Sequence, residues 1–303
     1  MDLRSLGYVV AIVDEGGFGK AADALGVTQP SLSHAVKALE NELGAQLFHR
    51  LGRSVTLTAA GEALLGPARQ ALRDAEVARA AVTDVAGLRA GRLDLVCLPT
   101  LAVDPVAELV GRFRTKHPGV QVHIVEPEDA DAVAELVRVG ASELGFAELP
   151  LPLRLPDLDS VELTSHQFVA VTRPPGDGPV GIAELATLPL ITTPPGTSTR
   201  RQVEEAFAAA GHTPTIAVET DHREAIVAMV LAGAGVAILP EPVARARATQ
   251  LRGGVVRPIR PRIERRIGLI RRRGPLSPAA QAFTALAVPG TPTRPRRPRA
   301  RRR

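Results

Sequence analysis

Only one cysteine, Cys97, occurs in the 303 residues. This excludes an internal disulfide framework, a thiolate zinc site and any sensor that works by closing an intramolecular disulfide, and makes a cytoplasmic setting the default. Long apolar runs are also missing: the longest, residues 225–239, is broken by glycine and too short to cross a bilayer. The amino terminus, Met1-Asp2-Leu3-Arg4, opens into an amphipathic pattern without the basic stretch, apolar core and small-residue cleavage site of a secretion signal. Neither a membrane protein nor a secreted one is expected. The chain has no convincing acidic pair, no Gly-rich phosphate loop and no histidines paired at ligand spacing, so nothing in it supports catalysis, a cofactor or a metal.

What is present is the composition of a globular protein, with 45% apolar residues, 23% charged residues and a mean hydropathy of +0.07. The length leaves room for two or three modules. The net charge of +5 conceals an asymmetry, because 15 of the 37 basic residues fall in residues 257–303 against one acid, Glu264. The first 256 residues therefore carry 22 basic and 31 acidic groups, and the high overall pI does not by itself indicate nucleic acid.

The apolar residues Leu3, Leu6, Val10 and Val13 recur at helical spacing, and Gly16-Gly17 stops the run. A second short helix is expected over residues 20–25, ended by Gly26. A third begins after Thr28, a helix cap, with Pro30 in the first turn where a missing N–H does no harm. Its inward stripe Leu32, Val36, Leu39 and Leu43 turns Gln29, Ser33, His34 and Lys37 outward. Two helices joined by a tight glycine turn make a helix-turn-helix, and residues 47–58 read as a β-hairpin wing bearing Arg50 and Arg53.

Residues 59–89 are Ala-rich and helical. Leu64, Ala68, Ala71, Ala75, Ala78, Val82 and Val85 alternate at spacings of four and three, which predicts a seam between two partner helices, with Pro67 bending or delaying the helix near its start. Beyond Gly91 short apolar runs alternate with helices in two series, the pattern of two parallel βαβ lobes. A basic strand over 264–270 and a helix over 278–286 are expected to complete the first lobe, and residues 289–303 have almost nothing to bury and read as a disordered tail.

The run Lys20-Ala21-Ala22-Asp23-Ala24-Leu25-Gly26-Val27-Thr28-Gln29-Pro30-Ser31-Leu32-Ser33, with Leu39-Glu40-Asn41-Glu42-Leu43-Gly44, Leu47-Phe48-His49-Arg50 and Leu57-Thr58-Ala59-Ala60-Gly61, resembles the LysR-type transcriptional regulators. Weaker echoes are Pro99-Thr100-Leu101 and Ala232-Gly233-Ala234-Gly235-Val236. His34 stands where members often carry Arg. The resemblance implies an all-α-plus-wing domain followed by an α/β domain: a winged helix-turn-helix over 1–58, a dimerising linker helix over 59–90, and a two-lobed, periplasmic-binding-protein-like effector domain over 91–288. Lobe I would hold 91–163 and 265–288, and lobe II 164–264. It also implies double-stranded DNA, a small-molecule effector, RNA polymerase and other copies of the chain, as a dimer or tetramer, for partners.

Chemistry suggests how such a protein would use these residues. Gln29 and Ser33 lie one turn apart at the start of the third helix and suit base edges, while Lys37, Arg50 and Arg53 suit phosphates. With Thr28, Pro30, Ser31 and His34 they form the candidate DNA-contact set. Because residues 1–60 hold five basic and six acidic groups, local placement has to matter more than net charge.

For the effector, Thr100 and the segment Thr197, Ser198 and Thr199 each precede a helix, where hydroxyls and free amides suit an anion such as a carboxylate. Ordinary helix capping needs the same residue types. Thr220, Asp221 and His222 and the segment from Glu126 to Asp129 are candidates for the rim, and Cys97 reads as a small buried hydrophobe. A solute-binding receptor or an enzyme built on the two lobes is the alternative. A secreted receptor would need a signal peptide and no helix-turn-helix, and an enzyme would need a converging catalytic group.

Overall fold

A computed structural model of the protein describes residues 1–51, 54–83, 91–151, 155–251 and 253–288. Arg53, Val85 and the tail 289–303 lie outside the described residues, as do the side chains of Arg50 and Val82.

Three helices form the amino-terminal unit: α1 (Leu3–Asp14), α2 (Phe18–Leu25) and α3 (Gln29–Leu43). The Asp2 carboxylate accepts from the Ser5 amide at 2.7 Å and caps α1. Helices α2 and α3 end at Gly26 (φ 63°) and Gly44 (φ 67°), where only a residue without Cβ turns left-handed at no steric cost. Val9, Ile12, Leu32, Val36 and Leu39 close a core that Phe18 and Phe48 complete edge to face at 5.5 Å. The expected wing is an antiparallel hairpin, β1 (Phe48–Leu51) with β2 (Ser54–Leu57), in register Phe48 to Leu57.

Helix α4 (Ala59–Thr83) runs unbroken through Pro67, so the proline does not delay it. The start is secured elsewhere: the Thr58 hydroxyl accepts from the Gly61 amide at 3.1 Å. The expected seam is corrected in part. Ala68 is buried within its own chain and Leu64 packs on the amino-terminal core, so these early seam positions are already covered. Ala71 and Ala75 are half-buried and Ala78 is exposed.

The remainder is α/β. Parallel strands β3 (Gly91–Cys97), β4 (Val120–Val125) and β5 (Leu144–Leu149) alternate with the single turn α5 (Pro99–Leu101), α6 (Ala107–Lys116) and α7 (Ala130–Arg138). The helical segment that follows β3 does not run continuously into α6. It is interrupted at Asp104 (φ −153°, ψ 126°), because a residue before proline is pushed out of the helical region and Pro105 follows. The long strand β6 (Leu158–Thr172) leads into β7 (Val180–Gly181), α8 (Ile182–Ala186), β8 (Pro189–Thr192), α9 (Ser198–Ala209), β9 (Thr215–Glu219), α10 (Arg223–Ala232), β10 (Val236–Pro240), α11 (Glu241–Gln250) and β11 (Val255–Arg260). Strand β12 (Glu264–Arg272) and helix α12 (Pro278–Ala287) return to the first lobe as expected, Phe283 meeting Phe113 at 5.3 Å.

The sheet order is β4-β3-β5-β12-β6-β10-β8-β9. The lobe boundary proposed between 163 and 164 falls inside β6, whose residues 158–167 pair with β12 while 168–172 pair with β10 and β11. The chain crosses between lobes near Phe168, whose amide donates to the Ile263 carbonyl at 2.9 Å. Each lobe has its own apolar core, around Phe113, Phe146 and Phe283 in the first and around Phe207 and Val171 in the second.

Candidate DNA interface and effector site

Thr28 caps α3, its hydroxyl accepting from the Ser31 amide at 3.4 Å and donating to the Ser31 hydroxyl at 2.8 Å. Gln29, Pro30, His34 and Lys37 are exposed with these two, while Ser33 is half-buried beside the inward stripe. No acid lies in the first turn of α3, so the positive end of the helix faces solvent undiminished. Helix α4 holds this unit from behind through an Arg69–Asp14 ion pair.

The lobes meet in a buried polar cluster. Thr100 is only 6% exposed, and its hydroxyl accepts from Arg265 Nη2 at 2.8 Å. Across the cleft, Ser198 donates through its amide to the Glu128 carbonyl at 3.0 Å and through its hydroxyl to Glu148 Oε2 at 2.7 Å. Glu148 also pairs with Arg201, and Glu128 with Arg223. Thr197 follows the capping alternative: it accepts from the Arg200 amide at 3.4 Å, donates to the Pro194 carbonyl at 2.9 Å and meets the Thr193 hydroxyl at 2.6 Å. Thr199 is buried in the same turn.

Among the other rim candidates, Glu126 and His222 are exposed, and Thr220 is half-buried, accepting from the His222 amide at 3.1 Å. The structure gives Thr100 and Ser198 partners that sequence reasoning did not select: Arg265 for Thr100 and Glu148 for Ser198, with the His166–Asp104 pair opposite Arg265 in the ladder. One signal was available for Arg265. It falls in the inward phase of the alternating strand Ile263, Arg265, Ile267, Leu269, where a charge is out of place.

Burial pushes the Arg265 guanidinium down to about 10, which leaves it charged at neutral pH. Burial, and then the neighbouring Arg265 charge, hold His166 below the usual imidazole value against the opposing effect of Asp104, whose Oδ2 lies 2.6 Å from His166 Nε2. The Cys97 thiol is pushed up to about 12, chiefly by burial and also by Glu126. Alkylation of native protein by iodoacetamide at pH 8 should therefore be negligible and become complete on unfolding; rapid native labelling would contradict the buried placement.

Residues 3–62 match the family model of the bacterial regulatory helix-turn-helix protein, lysR family, and residues 86–290 match that of the LysR substrate binding domain. The chain belongs to the LysR-type transcriptional regulators. It is a DNA-binding regulator with an effector-binding domain, not an enzyme. The chain is 33% identical over 251 residues to the transcriptional regulator IlvR of Caulobacter vibrioides, covering 79% of this chain and 82% of that one. It is 32% identical over 250 residues to IlvY of Escherichia coli, covering 80% and 83%.

Among solved structures, full-length OxyR from Pseudomonas aeruginosa superposes with a TM-score of 0.79 at 26% identity, over 95% of this chain and 93% of that one. Full-length CbnR in complex with its target DNA superposes with 0.64 at 26% identity, over 95% and 99%. Among the described residues, this LysR-type regulator has no helix long and apolar enough to cross a membrane and no group of three or more His, Cys, Asp or Glu placed to hold a metal ion.

Proposed function

We propose that the chain binds operator DNA through the start of α3, with Gln29 and Ser33 reading base edges and Lys37, Arg50 and Arg53 holding phosphates, and that a small anionic effector between the lobes sets its activity. The supporting observation for the first part is the exposed, acid-free opening of α3 on a helix-turn-helix framework. Thr28, Pro30, Ser31 and His34 border the same face. The second part draws support from the burial of Thr100 and the 197–199 turn on opposite sides of the cleft. Self-association through the exposed part of α4 would present two recognition helices to a two-fold operator, and the regulator would act on RNA polymerase in the cytoplasm.

Binding across a randomised duplex library tests the DNA assignment. Gln29→Ala should relax preference at one base position, costing about 1–3 kcal/mol of discrimination, because a bidentate amide contact to a base is lost. Lys37→Ala should weaken all sequences alike and lower the salt slope by about 1. If both variants retain the parent profile, α3 is not the reading element.

A further inference from the structure

Arg265 is 3% exposed, yet its Nε and Nη1 have no hydrogen-bond partner among the described residues. Among the described residues its one polar contact is Thr100, and its guanidinium lies over the Phe168 ring at 5.4 Å. The cluster's acids are engaged elsewhere, Glu148 by Ser198 and Arg201, and Asp104 by His166. A buried cation with free donors and no counter-charge is costly unless an anion arrives to use it.

His166 lies opposite Arg265 in the β6–β12 ladder, so the two side chains share a face. Burial and the Arg265 charge hold its imidazole below the usual value, which favours the neutral form. Nε2 donates to the Asp104 carboxylate at 2.6 Å, which leaves Nδ1 of the neutral ring as an acceptor; that atom too is buried without a partner among the described residues. One face of the β6–β12 ladder therefore carries free cationic donors and a bare acceptor.

We propose that the effector is a small hydroxy-carboxylate, its carboxylate taken by Arg265 and its hydroxyl donated to His166 Nδ1. Charge-assisted bonds to a guanidinium suit one carboxylate, and a single unbalanced cation suits a monoanion. This rests on the interlobe effector site proposed above and deepens it by naming the ligand's chemistry.

Calorimetry on the full-length protein, at ionic strength matched with sodium chloride, compares lactate and 3-hydroxybutyrate with propionate and butyrate, which lack the hydroxyl. Each hydroxy acid should bind roughly tenfold more tightly than its deoxy counterpart, because the deoxy acid leaves a buried acceptor unpaired. Arg265→Met should abolish binding of all four and, with the unpaired charge gone, raise the ligand-free Tm by about 2–4 °C. Equal affinity within each pair, no binding of any acid to the parent, or a lowered ligand-free Tm in Arg265→Met overturns the proposal. Thr100→Val separates the two levels: binding lost in Thr100→Val but kept in Arg265→Met retains the interlobe site and rejects the Arg265 assignment. Binding kept in both rejects the interlobe site as well.

Discussion

Glu148→Ala should destabilise the effector domain by about 2–4 kcal/mol, because it leaves Ser198 and Arg201 facing a void where a buried carboxylate had joined the lobes. Glu148 is nearly inaccessible while the Arg201 side chain remains 33% exposed, so the loss stays below that of a fully buried pair. Urea unfolding of the full chain, followed by a probe in the α/β domain, measures it as a lowered midpoint. Glu148→Gln keeps an acceptor for Ser198 and should recover part of the difference. A loss under half a kcal/mol for the alanine variant would mean that the contact between the lobes contributes little to holding them closed.

Gly61→Ala should be damaging for a different reason. A Cβ at this position would lie 2.2 Å from the Leu47 carbonyl oxygen and 2.8 Å from the Leu57 side chain. The first obstacle is backbone, so α4 and the wing would have to separate, at a cost of about 3 kcal/mol. Because α4 also braces α1, the displacement should weaken operator binding along with stability. Gly19→Ala is the control: nothing lies within 4 Å of its Cβ, and an exposed helical glycine replaced by alanine should gain about 0.5–1 kcal/mol. Similar melting temperatures for the two variants would show that Gly61 is not a close-packing position.

One strand links the proposed effector contact to the linker helix. β12 begins beside Thr100 with Arg265 and ends at Arg272, whose Nη2 donates to Gln70 on α4 at 2.6 Å. Next to that contact, Arg73 Nη1 donates to the Gly140 carbonyl at 2.8 Å. Seven residues of strand span roughly 23 Å. A ligand that draws the lobes into a different closure can thus shift the seat of α4, provided that it binds one arrangement better than the other.

Local patterns made much of this legible. The α3 cap and most of its inward stripe follow from Thr28, Pro30 and a 3.6-residue period, and the structure buries Leu32, Val36 and Leu39 as read, while Leu43 in the last turn is exposed and Ser33 is half-buried rather than outward. The first half of β6 was not legible. Residues 158–167 pair with β12 alone and are largely polar, so they lack the apolar run that marks the other strands. The seam in α4 misled for a related reason: a heptad pattern shows which residues seek cover but not what covers them, and the amino-terminal core takes Leu64 while Ala68 is buried within its own chain.

The sequence by itself determined the architecture and the family, because hydrophobic period, glycine stops, helix caps and the run from Lys20 to Ser33 are local and each constrains its own segment. Only the tertiary structure decided the chemistry of the cleft. Arg265 and Thr100 are 165 positions apart, and Glu148 and Ser198 are 50 apart. Whether a charge is paired, and whether a threonine caps its own helix or faces another lobe, depends on what folding brings opposite it.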